Sequence, residues 1–231
     1  MLIAAAVCPP APLLLPGVEG RQRLGAEVSS SALASVVALV ESSAPTVVVL
    51  AEDEGEPPRP DQPLGTWRYG GPQARPESGV ALPLAFAVAM AMLTEARFTG
   101  EVRLVPLPAS MTPEHAAAVG RELAADGDVA VLIVGNASAC STPRAPGAFR
   151  EDAEEFNDAI VHAVRTLDPH SLMGVSSEAA RDQLSDLRLP LQVLSGALDG
   201  ARFASDIHYA DAPAGVYYVC AAIRPATRTM T

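Results

Sequence analysis

The sequence DVAVLIVGNASACSTPRAPG, from Asp128 to Gly147, decides the fold class of this chain. Five of the six residues from Val129 to Val134 are Val, Leu or Ile. An unbroken apolar run of this length is typical of a strand that is buried on both faces of a parallel sheet. Gly135 ends the run, and a loop of small polar residues follows. Because ligands of open α/β sheets bind beyond the carboxyl ends of the strands, we expect this loop to line a pocket.

Strand and helix patterns alternate on both sides of this run. The other predicted strands are 2–7, 46–50, 101–107, 205–209 and 216–222, and the predicted helices are 26–40, 83–98, 113–125, 151–167, one that begins near 176, and 190–198. The last of these also fits a strand, although its flanking glycines favour a helix. This order predicts an α/β sandwich in a single domain, residues 1–224, with a tail at 225–231. Its central sheet is expected to be mostly parallel, flanked by helices, and to end in a β-hairpin.

Composition excludes several classes of partner. The chain has 231 residues, a formal net charge of −11 and a pI near 4.7, which oppose binding to nucleic acid or to an anionic membrane. The apolar stretch Val80 to Leu93 is too short to span a membrane and contains Pro83. Three scattered cysteines fit a reducing compartment, so the cytoplasm is expected. In the Pro- and Gly-rich segment that ends at Glu77, we expect Trp67 and Tyr69 to be buried as anchors.

Three sets of residues are candidates for chemistry, and each has a simpler interpretation. The acidic loop at 52–56 has the oxygen ligands that a hard cation needs, but a run of charges in such a loop is usually only solvated. Ser138 follows a strand and could act with Asp206 and His208, but it lacks the Gly-x-Ser-x-Gly pattern of a nucleophile elbow. Cys8 and Cys140 both follow strands and could face each other across the crevice, although buried thiols are often inert. No pair of the four histidines has metal-ligand spacing.

Five segments resemble one protein family, in the same order along nearly the whole chain. They are AAAVCPPAPLLLPG (4–17), VLIVGNASACSTPRAPGAF (131–149), EEFNDAIVHAV (154–164), LPLQVLSGAL (189–198) and HYADAPAGVYYV (208–219). The sequence is similar to actinobacterial proteins of the class III extradiol dioxygenase-like family, within the extradiol ring-cleavage dioxygenase superfamily. That resemblance implies an α/β fold whose ring-cleaving members hold Fe(II) with two His and one Glu, and use a further His as acid/base.

The residues that the family uses for iron are not matched here. Members commonly read Cys-Pro-His-Pro-Pro after the first strand, and Pro10 stands in the position of that imidazole. After the second strand this chain reads Ala-Glu-Asp-Glu, without a histidine. Ala139 follows Ser138, where active members have the acid/base histidine. Proline and alanine have no lone pair for iron, so no metal ligands and no iron or other cofactor are expected.

The leading hypothesis is therefore a protein of this family that has lost the iron site and serves as a non-catalytic binding or regulatory module, or as a metal-free pocket protein. The residues expected to line its pocket are Cys8, Pro9, Glu52, Asp53, Asn136, Ser138 and His208. No residue is assigned a catalytic role. One alternative is a metal-dependent dioxygenase for an aromatic diol with atypical ligands, such as Glu52, Asp53 and His208. A further alternative is an interaction subunit, as an oligomer or with a partner chain, since enzymes of this superfamily include some built from two chain types.

Overall fold

A single six-stranded sheet with helices on both faces forms the framework. The computed structural model describes residues 1–18 and 25–226. The strands are β1 (Leu2–Cys8), β2 (Thr46–Glu52), β3 (Glu101–Leu107), β4 (Val129–Val134), β5 (Phe203–Asp211) and β6 (Tyr218–Pro225). The helices are α1 (Ala26–Val40), α2 (Leu84–Glu95), α3 (Pro113–Ala125), α4 (Ala153–Thr166), α5 (Pro169–Met173), α6 (Ser177–Asp182) and α7 (Arg188–Leu198), with short 3₁₀ turns at Pro12–Leu14 and Thr66–Tyr69.

The sheet is mixed, with strand order β3-β2-β4-β1-β6-β5. The pairs β3-β2, β2-β4 and β4-β1 are parallel, while β1-β6 and β6-β5 are antiparallel. In the parallel part, Cys8 lies opposite Val134 and Leu50 lies opposite Ile133. The carboxyl ends of β1, β2 and β4 therefore meet at one edge of the sheet, which we call the carboxyl edge.

Two hydrophobic cores cover the two faces of the sheet. Every residue of β4 is buried, and alternate side chains enter opposite cores: Val131 and Ile133 face one, and Leu132 and Val134 the other. One core is closed by α1 and α2, and the other by α3, α4 and α7. The apolar run that predicted a strand buried on both faces is confirmed.

Two glycines allow α3 and α7 to pack closely. A Cβ at Gly120 would collide with the carbonyl oxygen of Val193, and one at Gly196 would collide with that of Ala117. The obstructing atoms belong to the backbone, so a side chain at either position forces the helices apart. This close contact holds α7 against the second core and brings its amino end to the carboxyl edge.

The two outer strands differ in how they are bounded. Strand β5 packs against α1, where the backbone oxygen of His208 accepts a hydrogen bond from Ser31 Oγ at 3.3 Å. Strand β3 has solvent beyond its outer side, and it contains Pro106.

Most predicted elements agree with the structure to within a few residues at their ends, and the ambiguous 190–198 stretch is helical. Strand β6 continues to Pro225, one residue past the predicted domain end, and 227–231 of the predicted tail lie outside the described residues. The expected burial of Tyr69 is wrong, because its exposure is 36%, and Trp67 is only partly buried. Thr66 is the buried residue of that turn; its hydroxyl accepts a hydrogen bond from the backbone N–H of Gln73 at 3.1 Å. Among the described residues, no helix is long and apolar enough to cross a membrane.

Candidate functional site at the carboxyl edge

Strands β2 and β4 each deliver one polar side chain to the carboxyl edge. Glu52 is the last residue of β2, and Asn136 comes two residues after β4. Both side chains are half-buried, and each has one buried oxygen without a hydrogen-bond partner among the described residues, Glu52 Oε2 and Asn136 Oδ1. Unpaired buried acceptors of this kind cost free energy, so their presence calls for an explanation.

The segment before α7 is fastened onto this edge. The backbone N–H of Asn136 donates to Asp186 Oδ1, and Ser185 Oγ donates to the backbone oxygen of Asn136 at 2.8 Å. Gly135 makes this approach possible, since a Cβ there would lie 2.9 Å from Leu187 and 3.0 Å from the backbone oxygen of Asp186. The glycine that ends the β4 run therefore has a packing role at the site.

Two carboxyl groups influence each other at this edge. Burial raises the pKa of Asp186 to about 7, and the charge of Glu52 adds to the rise, against the hydrogen bond from Asn136. Burial also raises the pKa of Glu52, while Arg188 lowers it. Arg188 is only 3% exposed and donates to the backbone oxygens of Ala109, at 2.7 Å, and Met111, at 3.5 Å. We call the four residues Glu52, Asn136, Asp186 and Arg188 the edge cluster.

Residues that the sequence placed beside Asn136 are occupied elsewhere. The Cys8 thiol and Pro9 are fully buried, and burial, with the nearby Cys220, raises the pKa of the thiol. Asp53 Oδ1 accepts the backbone N–H of Gly55 at 2.7 Å, which closes a turn and leaves Asp53 apart from the edge cluster.

Ser138 is sealed inside the protein rather than lining a pocket. The loop after β4 pairs with the start of β6 through Ala137 N–H to the Tyr217 oxygen, at 3.0 Å, and Tyr217 N–H to the Ser138 oxygen, at 2.7 Å. Beneath this cover, the hydroxyl of Ser138 donates to Gln183 Oε1 at 2.7 Å and accepts from Cys140 N–H at 2.9 Å. These contacts use the hydroxyl structurally and include no histidine.

The structure does not bring His208 to the edge cluster. Its Nδ1 lies 3.0 Å from Ser35 Oγ on α1, and its Nε2 lies 3.4 Å from Asp206. Strands β6 and β1 separate β5 from β4, so His208 and Asn136 are three strand spacings apart, roughly 14 Å. Cys140 is likewise placed away from Cys8, with its sulfur 3.8 Å from the backbone oxygen of Asp182.

The residues at this edge do not fit the iron centre that the family resemblance implies. A facial triad needs two imidazoles and one carboxylate, but Pro10 follows β1 and Glu52 ends β2. The other three histidines, His115, His162 and His170, lie exposed on helices. Across 1–18 and 25–226, no three His, Cys, Asp or Glu side chains are grouped so that they could hold a metal ion.

Sequence reasoning missed Asp186 and Arg188. Both lie in the segment SDLR at 185–188, which carries no motif and precedes an apolar stretch whose type was ambiguous. Only the contact between α3 and α7 brings this segment beneath β2 and β4, and no local pattern in the sequence encodes that contact.

Comparison with known proteins gives one kind of likeness. No family model and no curated protein matches this sequence. The chain is similar to a crystal structure described as an uncharacterized protein of Escherichia coli K12, with a TM-score of 0.57 and 14% identity, over 96% of this chain and 99% of that one. The likeness is one of fold alone. It extends to the whole architecture, from β1 to β6, and says nothing of a ligand.

Proposed function

We propose that this protein is a non-catalytic, cytoplasmic small-molecule-binding module with an extradiol-dioxygenase-like α/β fold, and that its ligand contacts the edge cluster. The parallel strands β3-β2-β4-β1 and the C-terminal hairpin support this fold assignment. The replacement of imidazoles by Pro10 and Glu52 supports the loss of iron-dependent ring cleavage. Fold alone does not carry function, so the residues of the site must carry the proposal.

The observation that carries the proposal is the pair of buried oxygens without partners, Glu52 Oε2 and Asn136 Oδ1. They follow adjacent parallel strands, β2 and β4, so they lie on the same edge. A ligand with two neighbouring O–H or N–H groups would supply the missing donors and relieve the cost of leaving both acceptors unpaired. Arg188 at the same place would balance the charge of Glu52 while such a ligand is bound.

The test uses catechol, which carries two adjacent O–H donors. Protein reconstituted anaerobically with Fe(II) is desalted, its iron is measured by elemental analysis, and oxygen uptake is followed with catechol. Binding is measured separately by calorimetry on wild type, Glu52→Gln and Asn136→Leu, with Asp61→Asn, whose side chain is 78% exposed, as the control. We expect saturable binding that the first two substitutions weaken, with no oxygen uptake. Stoichiometric iron together with oxygen uptake contradicts the proposal, as does catechol binding that neither edge substitution changes.

The metalloenzyme alternative finds no support at this edge, since Asp53 and His208 lie apart from Glu52. An interaction subunit is a second candidate, because two large apolar side chains are exposed within one region. Phe149 is 52% exposed and Leu184 is 56% exposed, and both adjoin Gly147. Light scattering tests it: a partner-free monomer at all concentrations contradicts it, whereas an oligomer that Leu184→Ser dissociates supports it.

A further inference from the structure

The largest of the three described cavities lies away from the edge cluster. It is an open cleft of about 780 Å³ between α4 on one side and α5 and α6 on the other. This volume falls within the range of small-molecule sites in proteins. Nothing in the preceding sections uses this cleft, apart from Gln183, which closes one end of it and holds Ser138.

Carboxylates dominate the lining of the cleft. They are Asp152, Glu155, Asp158, Glu178 and Asp182, against a single guanidinium, Arg150. Arg150 is already engaged, since it makes two hydrogen bonds of 2.9 Å to Asp152 and lies 3.4 Å from Asp182. The bond from Arg150 lowers the pKa of Asp152 to about 2, so this pair stays ionised. Within the described residues, the carboxylates of Glu155, Asp158 and Glu178 take part in no ion pair.

An apolar strip runs between these charges. On α4, Phe156 and Ala159 lie on the cleft face, one helical turn apart, and Phe156 is only partly buried. Opposite them, Val175 and Ala179 contribute partly buried apolar surface. The cleft therefore combines an aromatic face and an apolar strip with unpaired negative charge at its rim.

We propose that this cleft binds a small organic cation, an amine with an aromatic or aliphatic body. The ammonium group lies against Glu155 and Asp158, and the body covers Phe156 and Ala179. Three features support this occupant. The carboxylates complement its charge, the ring of Phe156 attracts cations, and the chain's net charge of −11 steers cations towards it. An anion of the same shape meets only repulsion at the rim.

The experiment uses tryptamine as the cationic probe and indole-3-acetate as its anionic counterpart, both titrated into the full chain by calorimetry. Glu155→Gln with Asp158→Asn removes two lining charges, and Glu154→Gln with Asp128→Asn removes two that do not line the cleft. We expect the first double variant to weaken tryptamine about tenfold or more and the control by less than about twofold, since Coulomb interactions fall with distance. Raising NaCl from about 50 to about 500 mM should weaken binding several-fold.

Amide chemical shifts locate the bound probe independently of any variant. We expect tryptamine to move the resonances of Phe156, Val175 and Ala179, and to leave those of Glu52 and Asn136 unchanged. The proposal is overturned if indole-3-acetate binds as tightly as tryptamine, if tryptamine does not saturate, or if both double variants weaken it equally. Loss of α-helical circular dichroism in the first double variant is answered by Glu155→Gln alone, which must still weaken tryptamine more than Glu154→Gln alone.

Discussion

Replacing Asp186 by Asn should stabilise the fold at alkaline pH and leave it nearly unchanged in acid. In the folded protein the pKa of Asp186 is about 7, against an ordinary value of 3.8. The folded state therefore binds a proton more tightly than the unfolded state, and this group makes the protein less stable as pH rises from about 4 to about 7. A difference of roughly 3 pKa units sets a ceiling on the order of 4 kcal/mol for the loss.

The substitution keeps an oxygen that can accept the Asn136 N–H and removes the charge. Urea unfolding followed by circular dichroism at pH 5, 6, 7, 8 and 9 measures the difference, with Asp61→Asn as the exposed control. We expect the free energy of unfolding of Asp186→Asn to exceed that of wild type above pH 7 by about 2–4 kcal/mol, and the two to converge near pH 4. Parallel pH curves for wild type and variant would refute the assigned coupling between Asp186 and its surroundings.

Two further substitutions test packing and hydrogen bonding. Gly196→Ala should lower the free energy of unfolding by about 1–3 kcal/mol, because its Cβ collides with the backbone oxygen of Ala117, whereas Ser195→Ala on the same helix should change it little. A Gly196→Ala protein as stable as wild type in urea would contradict the close helix contact. Ser138→Ala should cost about 1–3 kcal/mol in the same assay, since the buried Gln183 loses its partner; an unchanged midpoint would restore Ser138 as a free hydroxyl.

How far the sequence predicts this molecule depends on how local each signal is. Strand β4 and helix α3 are read accurately, because an unbroken apolar run specifies a strand buried on both faces, and Thr112 with Pro113 specifies a helix start. The Thr112 hydroxyl indeed accepts the backbone N–H of His115, at 3.3 Å. These signals lie within a few residues of the structure they determine.

The site is read less well, because its residues come from distant parts of the chain. Glu52 and Asn136 were found since each directly follows a predicted strand. Asp186 and Arg188 reach the same edge only through tertiary packing of α7. His208 was expected there because a hairpin was predicted without its position in the sheet, and β5 lies at the outer side of that sheet.

Strand β3 has a consequence for how this protein behaves at high concentration. The Glu101 N–H pairs with Pro45 in the direction of β2, and the Leu107 oxygen accepts from Asp53 in the same direction. Because backbone groups alternate along a strand, Pro106 faces outward, where it offers no N–H to an incoming strand. The outer border of the sheet is therefore interrupted as a template for intermolecular β-pairing, which lowers the risk of edge-to-edge aggregation.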